Sequence, residues 1–244
     1  MIRLVTFDFW QTLFADTPEG LTGNRALRLG GVGEALQRAG HPFEPQALAE
    51  ADGRALAALE AVWREHRDVT HEEQVRIFLA AIDPCLPDRL SPAARETVQT
   101  AYATPALTHS PRLAPGARET VHELRRRGLR LGVISNTGRT PGTVLRRLLA
   151  RSGLADAIHV LSFSDEVGAR KPAPVIFERT LACAGCRAAE AVHVGDDLAA
   201  DVAGACSVGM GAVHYVPGGG PGAPGAAAVL RHFAELPGLL AGLP

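Results

Sequence analysis

Four short stretches of the chain carry the residues that can do chemistry. Asp8 is followed by Phe9-Trp10-Gln11-Thr12, and Ser135-Asn136-Thr137 closes a second apolar run. Lys171 lies in Ser164-Asp165-Glu166-Val167-Gly168-Ala169-Arg170-Lys171-Pro172, and Gly195-Asp196-Asp197 is followed by Asp201. A carboxylate acts as a nucleophile by forming an acyl phosphate, provided the incoming phosphoryl group is neutralised. Further carboxylates converging on it repel one another unless they hold a hard cation, for which Mg²⁺ is the natural candidate. A lysine supplies a point charge for phosphate oxygens, and Ser or Asn at a strand end adds hydrogen-bond donors. Nucleophile, metal site, cation and donor together suffice for phosphoryl transfer. Each element alone has a plainer reading as a turn, a helix cap or a solvated loop charge. Their order, each after an apolar run, points to chemistry.

The elements that must position these residues follow from the apolar pattern. Runs of strand length recur at 2–7, 129–134, 158–163, 191–194 and 212–216. They lack strict in/out alternation, as strands buried on both faces do. Helical patterns separate them. One starts after Pro115-Gly116 and ends at Arg125-Arg126-Arg127-Gly128; another has Thr140 as its cap and runs to Ser152-Gly153; others begin at Pro172 and near Leu198. Alternation from about 113 to 216 predicts an α/β fold, a Rossmann-like doubly wound parallel sheet. Ligands of such sheets sit beyond the carboxyl ends of the strands, where all four stretches fall.

Residues 15–110 read differently. Segments 24–39, 45–66, 71–82 and 92–103 show helical spacing rich in Ala and Leu, with no strand pattern. The parse is a core of residues 1–14 and 111–244 with an all-helical domain of residues 15–110 inserted into it. Pro217 to Gly225 is a connector by composition, and a short amphipathic helix is predicted around 226–236.

Composition sets the remaining bounds. The 26 acidic and 25 basic residues of the 244 nearly cancel, which removes the electrostatic reason to bind nucleic acid or an anionic membrane. No apolar stretch reaches membrane-spanning length, and the first residues do not resemble a signal peptide, so a soluble, cytoplasmic protein is expected. The Cys183-x-x-Cys186 spacing has no companion pair and is read as chance. Lys171 is the sole lysine among an excess of arginines that codon bias explains.

The motifs resemble those of the haloacid dehalogenase superfamily, with a helical cap inserted just after the first motif. The likeness rests on Val133-Ile134-Ser135-Asn136, the Ser164 to Pro174 stretch, and Val194-Gly195-Asp196-Asp197 continued by Asp201-Val202-Ala203-Gly204-Ala205. It implies a hydrolase with Asp8 as nucleophile, Ser135 binding the transferring group and Lys171 stabilising charge. It implies Mg²⁺ held by Asp8, Asp196 and the main-chain carbonyl of Trp10, with Asp197 and Asp201 assisting. Trp10, Thr12, Asn136 and Arg139 are the expected substrate contacts. The expected partner is a small phosphorylated metabolite, bound by a monomer or homodimer.

One position departs from the phosphatase pattern. The residue two after the nucleophile is usually an Asp that protonates the leaving oxygen, and here it is Trp10, whose indole cannot do so. Three explanations stand: substrates with good leaving groups, a replacement acid such as Asp16 or His109, or different chemistry altogether. The dehalogenases of the superfamily carry an aromatic residue at this position, use no metal and act on 2-haloacids. Their pattern replaces the Gly-Asp-Asp segment that this chain retains. A weakly active or non-catalytic phospholigand-binding protein is the further alternative. His193 is expected simply to pack beside its strand.

Overall fold

The computed structural model describes residues 1–243. Its strands are β1 (Leu4–Phe7), β2 (Phe14–Ala15), β3 (Arg112–Leu113), β4 (Arg130–Ser135), β5 (Val160–Phe163), β6 (Ala191–Gly195), β7 (Gly211–Tyr215) and β8 (Ala228–Leu230). Six of them form one parallel sheet in the order β5-β4-β1-β6-β7-β8. The strand carrying Asp8 is thus flanked by those leading to Ser135 and to Asp196. In register, Phe7 faces Val133 on one side and Val194 on the other. The two polar strand ends are thereby placed beside the first.

Helices cover both faces, which explains the continuous apolar runs. Val5, Phe7, Val133 and Val194 point to one face, against α6 (Ala117–Arg126) and α7 (Gly142–Arg151). Leu4, Ile134 and Ala191 point to the other, against α9 (Pro174–Ala184), which follows the short α8 (Ser164–Val167). The backbone polar groups buried between the helical layers are satisfied by pairing between adjacent strands. The sheet is Rossmann-like, as the alternating pattern implied.

The region between β2 and β3 is helical: α1 (Pro18–Arg38), α2 (Pro45–Arg64), α3 (His71–Ile82), α4 (Leu86–Arg89) and α5 (Pro92–Ala103). Its caps are written in the chain. Thr17, Thr70 and Ser91 each accept a bond from a backbone N–H in the first turn of α1, α3 and α5. These helices share an apolar cluster of their own, including Val32, Leu36, Phe78, Leu79 and Tyr102. The antiparallel pair β2–β3 joins the two ends of the segment.

Two local expectations are corrected. The amphipathic pattern at 226–236 forms β8, a 3₁₀ turn at Phe233–Glu235 and then α10 (Leu236–Ala241). The open edge of β7 offers backbone partners that outweigh the helical propensity of the Ala run: Ala227 N–H donates to the Ala212 carbonyl and Val216 N–H to that of Leu230, both at 2.8 Å. Thr140 does not cap α7 either. The Gly142 amide donates to the Asp165 carboxylate at 3.1 Å, so a distant side chain does the capping.

Gly132 marks how closely β4 packs against its neighbours. A Cβ there would lie 2.6 Å from Val160 Cγ1 and 3.1 Å from Thr6 Cγ2. Gly132→Ala is expected to lower stability by about 1–3 kcal/mol through overpacking, read as a lower urea midpoint with an unchanged slope.

Candidate active site

Asp8 is the first residue beyond β1, and its amide donates to the Val194 carbonyl at 2.8 Å, which ties it to β6. The turn that follows needs a left-handed residue, and Gln11 supplies it at φ 56°. Phe14 N–H closes the turn on the Phe9 carbonyl at 2.8 Å. Thr12, brought back by this turn, donates its hydroxyl to Asp196 Oδ1 at 2.9 Å.

Lys171 arrives from the loop after α8. Its backbone is held from both sides by one amide side chain: Asn136 Oδ1 accepts from the Lys171 N–H at 2.8 Å, and Asn136 Nδ2 donates to the Lys171 carbonyl at 3.0 Å. The ammonium, buried to 4% exposure, donates to Asp8 Oδ1 and Asp201 Oδ1, each at 2.6 Å. Asp201 is held further by His193 Nε2 at 3.0 Å and by the Asp197 amide at 3.0 Å. Thr6 Oγ1 lies 2.9 Å from His193 Nδ1 and completes the chain. Burial holds the His193 pKa below its usual value, and the ring bridges the Asp201 carboxylate and the Thr6 hydroxyl, which also donates to the Val192 carbonyl at 3.4 Å.

Oxygens of Asp8, Asp196 and Asp201 come within 4.8 Å of one another. With the Lys171 charge included, three ionised carboxylates leave this cluster at a formal charge of −2. The strain shows in the protonation equilibria. Burial pushes Asp8 up to about 7; Lys171 opposes the shift, and the Asp201 and Asp196 charges add to it. Burial also raises Asp196. For Asp201, burial is outweighed by Lys171 and His193, and its carboxyl is held well below the usual range. For Lys171, burial is in turn outweighed by Asp201 and Asp8, which raise it. A set of hard oxygen donors with two negative charges in excess fits a divalent cation of the Mg²⁺ type.

Ser135 ends β4, fully buried, and its Oγ has no hydrogen-bond partner. A buried orphan hydroxyl beside such a cluster is a donor awaiting a ligand. Asp197 is turned elsewhere: its Oδ1 accepts from the Ala199 and Ala200 amides at 2.8 and 2.7 Å, capping the turn Leu198–Ala203. Asp197 therefore stands outside the three-carboxylate cluster. Arg139 pairs with Asp52 of α2 and donates from Nε to Tyr102 Oη at 3.0 Å.

The family profile described as a hydrolase, haloacid dehalogenase-like hydrolase, matches residues 2–209. This chain belongs to that family. The haloacid dehalogenase-like chain is 31% identical to the phosphoserine phosphatase of Thermus thermophilus, over 94% of this chain and 95% of that protein. It is 40% identical to the ribulose-1,5-bisphosphate 5-phosphatase of Halopiger xanaduensis over 40% of its own length, and the match covers 39% of that relative. A glyceraldehyde 3-phosphate phosphatase of Methanothermobacter thermautotrophicus is likewise matched over 39% of its length. Among solved structures, a 2-haloacid dehalogenase from Pseudomonas syringae pv. Tomato superposes with a TM-score of 0.74 at 28% identity, with 99% of each chain covered. A phosphatase of the family from Thermococcus onnurineus gives 0.64 at 28% identity, with 99% of each chain covered.

Sequence reasoning missed a second buried network in this hydrolase. Asp68, between α2 and α3, accepts from Ser164 Oγ at 2.5 Å, Arg170 at 2.9 Å and Trp63 Nε1 at 3.0 Å. Ser164 Oγ in turn accepts from the Thr137 amide at 2.9 Å. Backbone bonds parallel these contacts: Arg170 N–H donates to the His66 carbonyl at 2.9 Å and Asp68 N–H to that of Gly168 at 3.1 Å. The α2–α3 loop is thus fastened to the residues just before Lys171. No local pattern signals this, because Asp68 is one carboxylate in an exposed-looking Arg-Asp-Val-Thr run. His193 was also underestimated, since a histidine on a strand reads locally as packing.

Two cavities open between the helical segment and the strand ends. One, of about 330 Å³, is walled by Trp10, Asp16, Arg28, Leu56, Asn136 and Arg139 among others. The other, of about 500 Å³, reaches Trp63, Asn136, Arg170, Lys171 and Asp197. Of the two residues considered for the missing acid, Asp16 lines the cavity beside Trp10, while the His109 ring packs on Gly23 of α1.

Asp68→Ala is expected to lower stability by about 3–5 kcal/mol, because it strands the largely buried Arg170 guanidinium and the Trp63 indole N–H together. Chemical denaturation of the variant against wild type measures it.

Proposed function

We propose that this hydrolase is a Mg²⁺-dependent phosphatase of small phosphorylated metabolites, working through a phosphoaspartate on Asp8. The observation that carries the reading is the Lys171 ammonium buried between Asp8 and Asp201, in a carboxylate cluster of net charge −2 beside the orphan Ser135 hydroxyl. The names of the Thermus, Halopiger and Methanothermobacter relatives support the same class.

In this reading Asp8, Asp196 and the Trp10 carbonyl hold the metal, with Asp201 in support and Asp197 shaping the turn. When bound, Mg²⁺ neutralises phosphoryl charge and relieves repulsion among the carboxylates. With Oδ1 held by Lys171, Asp8 Oδ2 attacks phosphorus, and the bond to the leaving oxygen breaks as the new P–O bond forms. Lys171 and Ser135 Oγ meet the charge on the transferring oxygens. Water then cleaves the acyl phosphate and returns Asp8. Residues 15–110 act as a cap that excludes water and selects substrate, with the Asp68 contacts setting how the cap meets the Lys171 loop.

The missing acid is assigned to Asp16. Burial raises its pKa, which keeps a larger protonated fraction at neutral pH, and it lines the cavity beside Trp10. Since Asp16 works protonated, turnover of esters with basic leaving groups falls as pH rises through its pKa.

A second reading has one observation in its favour, the likeness to the Pseudomonas 2-haloacid dehalogenase. It predicts chloride release from 2-chloropropionate in EDTA. A haloacid anion approaching a metal-free cluster of charge −2 would be repelled, which is why the phosphatase reading is preferred.

Three measurements bear on this. Purified protein with Mg²⁺ should hydrolyse para-nitrophenyl phosphate, and Asp8→Asn should reduce kcat by about 10³-fold or more; equal turnover by the two would sink the proposal. Lys171→Arg should cost about 10²–10³-fold although it keeps the charge, since a planar guanidinium cannot occupy the ammonium's place between two carboxylates. Asp16→Asn should slow alkyl phosphates about 10²-fold and para-nitrophenyl phosphate by less than about tenfold, because the nitrophenolate leaves without a proton.

A further inference from the structure

The buried face of α1 is apolar at Val32, Ala35 and Leu36, yet the same stripe carries Asn24 and Arg28 towards the start of the helix. Arg28 is only 7% exposed. Its Nε donates to the Tyr102 carbonyl at 3.0 Å, and its guanidinium lies over the Tyr102 ring at 5.1 Å. It forms no ion pair with any carboxylate among the described residues. The nearby Asp52 is already taken, accepting from Arg25 Nε at 2.9 Å and from Arg139. Burial and the neighbouring Arg139 charge depress the Arg28 pKa to about 10, the mark of a cation short of counter-charge. Buried guanidinium groups are ordinarily paired, so an unpaired one on a cavity wall is built for an anion.

Asn24 stands one helical turn away on the same wall. Its Nδ2 donates to the His109 carbonyl at 3.3 Å, and its Oδ1 is buried without a donor. Both residues line the cavity of about 330 Å³ whose walls also include Trp10 and Asn136, neighbours of the nucleophile and of Ser135. A ligand reaching from Asp8 into this cavity meets a cationic donor pair and a free acceptor side by side.

We infer that Arg28 and Asn24 form a carboxylate subsite, so that the substrate is a phosphomonoester bearing a carboxylate with a hydroxyl or amino group on the adjacent carbon. Arg28 takes the carboxylate through two N–H donors, and Asn24 Oδ1 accepts from the neighbouring hydroxyl or ammonium. One unpaired guanidinium matches one negative charge, which favours a carboxylate over a second dianionic phosphate. The assignment rests on the phosphatase reading, whose site it extends, and Arg28 is here a specificity-determining residue.

The test compares 3-phosphoglycerate and O-phosphoserine with glycerol 3-phosphate, which lacks the carboxylate, using para-nitrophenyl phosphate and Mg²⁺ to establish turnover. Wild type should favour the two carboxylated esters by about 10- to 100-fold in kcat/KM, mainly through KM. Arg28→Gln should bring the ratio to within about threefold of unity, and Arg28→Lys should retain an intermediate preference. Preference for one carboxylated ester over the other separates a hydroxyl from an amino neighbour. Equal treatment of all three esters by wild type, or an unchanged ratio in Arg28→Gln, overturns the subsite. If para-nitrophenyl phosphate is not hydrolysed, the phosphatase reading fails instead. The subsite is then judged by calorimetric binding of glycerate, which Arg28→Gln should abolish and which an unaltered affinity would refute.

Discussion

The buried ammonium of Lys171 between two carboxylates is the contact on which the rest depends. A lone lysine at this depth would lose its proton, and Asp8 and Asp201 alone would not both ionise. Together Lys171 and Asp201 keep one another charged, while burial and the neighbouring carboxylates push Asp8 up to about 7. The arrangement still leaves an excess of negative formal charge once Asp196 is counted, the kind of oxygen cluster that a divalent cation would offset. Each neighbour answers this requirement. Asn136 grips the lysine backbone, His193 and the Asp197 amide steady Asp201, and Thr12 orients Asp196. Gly195 lets Asp201 come close, since a Cβ there would fall within the Asp201 carboxylate.

The sheet makes this convergence possible. Its central strand leads to Asp8, and parallel neighbours bring Ser135 and Asp196 to the same end. The helical segment meets that end through the Asp68 contacts. These contacts fasten the helical segment to the residues immediately before Lys171. The cavity wall on α1 adds an unpaired cation at the other side of the same space. Asp8, Ser135 and Asp196 thus sit at strand ends of the sheet, while Asn24 and Arg28 belong to a helix.

Much of this was legible in the chain. Apolar runs without alternation identified β1, β4, β5, β6 and β7, because burial on both faces leaves a local signature. Thr70 and Ser91 mark the starts of α3 and α5 for the same reason, since a cap acts within one turn. The strand β8 was read as helix, because its Ala run has helical propensity and the stabilising edge of β7 lies elsewhere in the chain. Asp197 and Asp201 could not be separated by spacing. One faces the cluster and the other caps a turn, a difference set by which backbone amides come within reach.

The sequence by itself determined the chemistry available: a strand-end Asp8, a single lysine, a strand-end serine and paired acidic residues, in an order that only a parallel sheet makes meaningful. It also determined that Trp10 cannot move a proton. Tertiary structure alone decided which charges are satisfied. Arg139 finds Asp52, Arg170 finds Asp68 and Arg28 finds no carboxylate among the described residues, although all three look alike as letters. The physical reason is that propensity and periodicity act over a few residues. The energy of a buried charge depends on partners that packing brings from as far as 163 positions away, as Lys171 and Asp8 show.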